Sequence, residues 1–229
     1  EQLAEEEAEL PPVIELPEGF HLLDESRGDT GRRYREYALG RMTAEQVTEY
    51  KVGFCATGFY RKRIVVPVYY LGTLVNWVAR YISDDPPAGI RKVTTPKGNE
   101  QYSYLFNLEK VWGHETAVIT EGVFDCMPIA DMAVATFGKK VTDTQVNALV
   151  QAGIHQVILA WDADAQKEIW DSYNRLRITF DSVKVVELPE KEDPGSLGRA
   201  AMVDLLKNAH TPRRYEKMSG GEMQEIGRV

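Results

Sequence analysis

Two acidic motifs in the second half of the chain have the residue types and spacing of metal-assisted phosphate chemistry. In VILAWDADAQ, Val157 to Gln166, an apolar run ends in Asp162 and Asp164. Residues i and i+2 of an extended chain share a face, so both carboxylates aim at one point if the strand continues through Ala163. Like charges held there repel, and a cation between them removes the conflict. In AVITEGVFDC a second apolar run ends in Glu121, with Asp125 one helical turn further on. Open α/β sheets gather ligands at the carboxyl ends of strands where the strand order reverses, so Glu121 and Asp162 meet there if their strands are neighbours. An all-oxygen donor set suits Mg²⁺ or Mn²⁺, whereas zinc prefers His and Cys. The chemistry such ions support is phosphoryl transfer: holding a triphosphate, lowering the pKa of an attacking hydroxyl and neutralising the leaving pyrophosphate. A single acid at a strand end is more often a helix cap or a solvated loop residue. It is the repetition of the pattern on two strands that favours a metal.

The elements that must position these acids follow from the alternation of the sequence. AVITE, a helix through Phe124 to Asp131, MAVATF, a helix from Thr142 to Gln151 and QVILAWD read as strand, helix, strand, helix, strand, which implies a parallel α/β sheet. A helix in QKEIWDSYNRLR, the strand VKVVEL and a helix in LGRAAMVDLLKNA extend it. Upstream, Thr43 with Gln46 three residues on announces a short helix. RIVVPVYYLGTLVNWVARYI reads as a hairpin turning at Leu71-Gly72-Thr73. Four segments result: an acidic linker or arm over 1–26, a basic mixed α+β unit over 27–112, the α/β unit over 113–209 and a polar, loosely held tail over 210–229.

The 229 residues carry a formal charge of -8, which by itself argues against a nucleic-acid partner. The distribution reverses that argument: residues 1–26 carry -9, 27–110 carry +6 and 111–229 carry -5. Two cysteines, Cys55 and Cys126, are too few and too far apart for a metal cluster or a disulfide framework, and are expected to be buried thiols. No apolar run approaches the roughly 18 residues of a membrane span, and no signal peptide is evident, so a soluble, intracellular protein is expected. The chain begins with Glu, which suggests that an upstream segment has been removed. There is no Walker-type phosphate loop, and His114 and His155 have no partner at useful spacing.

At these residues the sequence resembles the TOPRIM fold shared by bacterial-type primases, type IA and II topoisomerases and several nucleases. ITEGVFD is similar to its Glu-Gly-x-x-Asp motif and AWDADA to its DxD motif. The order of further segments resembles the RNA polymerase core of bacterial-type primases, in a phage or plasmid version: KRIVVPVYYLGTLVNWVARYI for the basic subdomain, RKVTTPKG, YLFNLEKV, VATFGKKVTDTQ and LPEKEDPGSL. The resemblance runs from about Leu39 to Leu197. It implies an α/β TOPRIM parallel-sheet domain preceded by a smaller mixed α+β basic subdomain. It implies catalysis by Glu121, Asp162 and Asp164, with Glu121 a candidate base for the 3′-hydroxyl, and metal contacts from Glu121, Asp125, Asp162, Asp164 and Asp193. Arg41, Arg61, Arg63, Arg80 and Lys92 align with basic residues that contact template or nucleotide phosphates.

The activity implied is synthesis of short RNA primers on single-stranded DNA from ribonucleoside triphosphates with Mg²⁺ or Mn²⁺. No zinc is expected in this fragment, and a replicative helicase would be met through segments outside this chain, in the cytoplasm of a bacterium or a phage-infected host. A TOPRIM nuclease using the same carboxylates, and a non-catalytic TOPRIM binding module, are the rival readings. The departures from the family pattern are Ala163 and Gln166 in place of usual glycines, and Gly195 where a second late aspartate is common. Tyr69, Tyr70, Trp77 and Tyr81 could stack bases, but aromatics alternating on a hairpin more often belong to a core.

Overall fold

The computed structural model describes residues 14–96, 104–162, 165–217 and 223–228. The first half of the chain supplies β1 (Phe20–Leu22), α1 (Asp29–Leu39), α2 (Ala44–Glu49), β2 (Gly53–Cys55), β3 (Arg63–Tyr70), β4 (Thr73–Tyr81) and β5 (Val93–Thr94). Its strands form an antiparallel sheet in chain order. The second half supplies β6 (Thr116–Thr120), α3 (Val123–Cys126), β7 (Ala133–Ala135), α4 (Asp143–Gln151), β8 (Gln156–Ala160), α5 (Gln166–Leu176), β9 (Ser182–Val185) and α6 (Pro194–Lys207). These four strands are parallel, in the order β7-β6-β8-β9. The expected fold class, a parallel α/β sheet with a smaller mixed unit before it, is the one observed.

Local chemistry starts several of these elements. The Thr43 hydroxyl accepts the Gln46 N–H at 3.2 Å and the Gln46 side chain accepts the Thr43 N–H at 2.9 Å, a reciprocal cap that opens α2. Thr142 and Gln145 open α4 in the same way. The β3–β4 hairpin turns on Leu71 and Gly72, both at positive φ (47° and 80°), the geometry a two-residue turn requires.

Three elements differ from the sequence expectation. The helix expected from Phe124 to Asp131 is only α3, followed by a 3₁₀ turn at Met127–Ile129; Pro128 has no N–H to continue an α-helical ladder. The acidic arm is anchored at its end, because Phe20–Leu22 pairs with β2, Leu23 is fully buried, and the Trp77 indole N–H donates to the Glu15 carbonyl. The tail contains a hairpin of β10 (Arg213–Lys217) and β11 (Met223–Arg228).

One core joins the two sheets. Ile64, Val66 and Val78 of the antiparallel sheet pack in the same cluster as Val118, Phe124, Met127 and Met202. The other face of the parallel sheet is closed by Leu149, Ile169, Tyr173 and Leu176 from α4 and α5. Cys55 and Cys126 are buried thiols, as expected. Among the described residues no helix is long and apolar enough to cross a membrane.

A polar joint accompanies this core. Buried Asn107 donates to the carbonyls of Ala130 and Ala133 beside β7, and accepts the Tyr50 hydroxyl from the end of α2 at 2.7 Å. Asn107→Ala would strand those groups without partners. It is expected to cost about 2–4 kcal/mol in denaturant unfolding, well above the effect of an exposed substitution such as Asn147→Ala.

Candidate metal and nucleic-acid site

The parallel sheet reverses its order around β6: the chain leaves β6 for β7 on one side and later places β8 on the other. The registers Thr120↔Ala135 and Thr120↔Ala160 align the three carboxyl ends. Glu121 and Asp162 leave neighbouring strands at this switch point, the position at which such sheets collect ligands. The Thr136 N–H donates to the Thr120 carbonyl at 3.1 Å and the Thr136 hydroxyl to the Gly138 carbonyl at 2.6 Å, and the Thr120 hydroxyl lies 3.1 Å from the Val134 carbonyl. Two buried threonines thus fix the strand end that carries Glu121.

A cleft of about 410 Å³ opens there, lined by Glu121, Asp125, Asp162 and Asp193 together with Arg80 and Lys92. Asp164 and Ala163 lie outside the described residues. Asp125 sits on the first turn of α3 and its Oδ2 accepts the Gly122 N–H at 2.9 Å. Burial first, then the charges of Asp193, Asp162 and Glu121, push the Asp125 carboxyl from an ordinary 3.8 up to about 7, against the lowering effect of that hydrogen bond. Asp193 is also the N-cap of α6, its Oδ1 accepting the Ser196 N–H at 2.6 Å. It is therefore both the turn residue ahead of Pro194 and a wall of the cleft.

The α6 start reaches the acids because residue 195 is glycine. A Cβ there would stand 2.9 Å from the Phe124 carbonyl and 3.3 Å from Asp125 Oδ1. Any side chain at that position would push α6 away from the cleft, which gives the departure from the family pattern a packing reason.

The donors around the Asp125 carboxyl, raised by burial and then by its neighbours, are all oxygens. A hard divalent cation fits that set. Among the described residues, however, no three such side chains are drawn together into a finished metal cage. Glu121, Asp125, Asp162 and Asp193 are the described residues that would hold an ion.

The basic residues divide by role. Val78 and Arg80 share one face of β4 and line the cleft, while Trp77 and Ala79 face the opposite core. The Arg80 guanidinium lies 5.2 Å from the Phe124 ring centroid, and its Nε donates to the Tyr37 hydroxyl at 3.1 Å. Arg41 and Lys92 join Arg80 around Asp84, at 2.8, 3.2 and 3.4 Å from its Oδ1 for Arg41, Lys92 and Arg80 respectively. Arg63 is buried and donates to the carbonyls of Ala79, Arg91 and Lys92, so its guanidinium positions the Lys92 segment rather than facing the cleft. Arg61 is exposed and bonds Gly58 in its own turn, outside the cleft lining. Trp77 is core, as alternating aromatics usually are.

Sequence reasoning missed Asp84 and Tyr37. The i, i+4 spacing of Arg80 and Asp84 was visible, but Arg41 lies 43 residues away from Asp84 and nothing local joins them.

Residues 118–197 match the family model described as Toprim-like. The DNA primase of Pseudomonas aeruginosa is 26% identical over 161 residues, covering 65% of this chain and 24% of that protein. The chain therefore spans about a quarter of the length of the curated relatives it matches. Among solved structures, a DnaG primase catalytic domain bound to ssDNA superposes with a TM-score of 0.70 at 18% identity, covering 82% of this chain and 75% of that one. The E. coli primase catalytic core gives 0.67 at 18% identity, covering 82% and 76%. The second half of the chain is thus similar to Toprim-like domains. In sequence it is similar to bacterial DNA primases, and it has the fold of their catalytic cores.

The Asp125 carboxyl makes a test of the site's charge. Its folded pKa lies above the unfolded value, so the metal-free folded state holds a proton between pH 4 and 7 that the unfolded chain has released, and stability falls as pH rises through that window. Asp125→Asn keeps an acceptor for the Gly122 N–H and removes the charge. Without metal it is expected to raise the thermal midpoint by roughly 2–8 °C at pH 8, for about 1–2 kcal/mol, and to leave it unchanged near pH 4. Calorimetry in a chelator across that range checks the sign.

Proposed function

We propose that this chain is the polymerising core of a bacterial-type primase, joining ribonucleotides on a single-stranded DNA template. The observation that carries the reading is one cleft lined by Glu121, Asp125, Asp162 and Asp193 together with Arg80 and Lys92. Acids and cations lining a shared space suit a substrate that brings both polyphosphate and a nucleophilic hydroxyl. The relationship to DNA primases and the likeness in fold to their catalytic cores support the same reading.

In this reading Arg80, Lys92 and Arg41 hold phosphate oxygens by charge-assisted hydrogen bonds, which position the strand and the nucleotide without reading sequence. Glu121, at the end of β6, accepts the proton of the primer 3′-hydroxyl. Asp162, Asp125 and Asp193 supply the remaining oxygens of the cleft, and Asp164 is assigned a part only by the likeness of AWDADA to the DxD motif. Mg²⁺ or Mn²⁺ bound to these carboxylates would supply charge neutralisation for the attacking oxygen and the leaving pyrophosphate. The buried threonines at the strand ends keep the acids fixed while substrates exchange. The template, the ribonucleoside triphosphates and a replicative helicase, reached through segments outside this sequence, are the partners this reading implies, in the cytoplasm of a bacterium or phage-infected cell.

Primer synthesis on single-stranded DNA with four ribonucleotides and Mg²⁺ or Mn²⁺ tests the proposal, with products resolved by size. Metal-dependent oligoribonucleotides are expected from the wild type, and at least about a hundredfold less from Asp162→Asn combined with Asp164→Asn, whose volume is nearly unchanged. Template degradation without synthesis would instead make the carboxylates those of a nuclease. Arg80→Ala is expected to weaken single-strand binding and to reduce the slope of log affinity against log salt by roughly 0.7, the share of one phosphate contact. A slope equal to the wild type's would remove Arg80 from the binding path.

A further inference from the structure

Three cations from three separate parts of the fold converge on one oxygen. Arg41 lies between α1 and α2, Arg80 on β4 and Lys92 just ahead of β5, and all three reach Asp84 Oδ1, within 2.8 to 3.4 Å. Asp84 itself stands in the loop after β4 with its side chain 65% exposed. A solvated carboxylate gains little from one ion pair and has no need of three. With Asp84 counted, the group still carries two positive charges, an excess that suits a multiply charged oxyanion better than a carboxylate.

The cations do not depend on Asp84 for their places. Arg80 is held by the Tyr37 hydroxyl and lies against the Phe124 ring, and Arg41 lies 5.0 Å from the Tyr37 ring centroid. The Lys92 carbonyl accepts from the Tyr81 N–H at 2.8 Å and from the buried Arg63 guanidinium at 3.1 Å. The cradle is thus built from behind by packing and backbone contacts. Asp84 enters from the solvent side, on a loop containing Pro86, Pro87 and Gly89. Two of the three cations also line the cleft that holds the acids.

We infer that Asp84 occupies a phosphate position in the free protein and competes with the substrate phosphate for Arg41, Arg80 and Lys92. The inference rests on the proposed function for the identity of the ligand, a nucleotide triphosphate or a template phosphate; the chemistry recognised is a phosphate oxyanion in either case. Asp84 is a positioning residue that sets affinity, and it takes no part in bond making. Its effect is to lower the positive charge of the cradle when no substrate is bound and to weaken the grip on phosphates when one is. An incoming phosphate displaces the carboxylate into solvent, where its exposure makes release inexpensive. Weak, reversible phosphate contacts suit a polymerising site that must slide after each addition.

The test is binding, so it reads the cradle whether or not the chain synthesises primers. Inorganic tripolyphosphate and an oligo(dT) strand are titrated separately by calorimetry in a chelator, which prevents metal at the acidic wall from recruiting phosphate. Asp84→Asn is expected to bind at least one of them about fivefold more tightly than wild type, an effect of removing one adjacent charge. A gain for tripolyphosphate alone assigns the position to the nucleotide, and a gain for oligo(dT) alone, with a steeper salt slope, assigns it to the template. Asp85→Asn removes the same charge one residue away and is expected to change neither affinity. Adding Lys92→Ala to Asp84→Asn is expected to cancel the gain. Unchanged or weaker binding of both probes by Asp84→Asn, at an unchanged melting temperature, would overturn the inference, as would an equal gain from Asp85→Asn.

Discussion

The constraint on which the rest depends is the mutual repulsion of carboxylates gathered at the ends of neighbouring parallel strands. Asp125 lines one cleft with Asp193, Asp162 and Glu121, and its burial there, followed by their charges, pushes its carboxyl up to about 7. A fold selected only for stability would not assemble such a group. Its persistence requires rigid support, and the support is visible: Thr120 and Thr136 brace the strand ends, Gly195 lets the start of α6 approach, and the Gly122 N–H holds Asp125 in its rotamer. The site is costly in charge and well fixed in position, which is the condition for binding a cation without reorganisation.

The antiparallel sheet has meaning only against that acidic wall. Its hairpin brings Arg80 into the cleft that holds the carboxylates, and the joint core of Ile64, Val66 and Val78 with Val118 and Phe124 packs the two sheets together. Asn107 adds a directional lock between α2 and the turn before β7. The second sheet thus acts as a rigid arm that presents cations to the first. Arg63 illustrates the division of labour: its charge is turned inward to hold the backbone of Arg91 and Lys92, and the lysine faces the cleft in its stead.

How much of this was legible depended on range. Capping residues such as Thr43 and Thr142 act over three positions, so both helices could be read locally. The Leu71-Gly72 turn was equally local. The helix beyond Phe124 was read too long because apolar periodicity continues through Met127 and Ile129 although Pro128 cannot carry the ladder. The end of the acidic arm was misread because Phe20–Leu22 becomes a strand only by pairing with β2, a long-range event that composition does not encode. At the site, Arg63 and Arg80 look alike in sequence, two basic residues on one hairpin. Only the facing of β3 and β4 separates the inward brace from the cleft wall.

By itself the sequence determined the strand-ending acids Glu121 and Asp162, the alternation that makes a parallel sheet and the basic block that precedes it, because each is written in short-range pattern. The tertiary structure decided which of these residues meet. It brought β6 and β8 side by side, carried Asp125 and Asp193 into one cleft, and collected Arg41, Arg80 and Lys92 on Asp84. The physical reason is that charge interactions at this site act through space between residues far apart along the chain, so their balance exists only once the two sheets have packed.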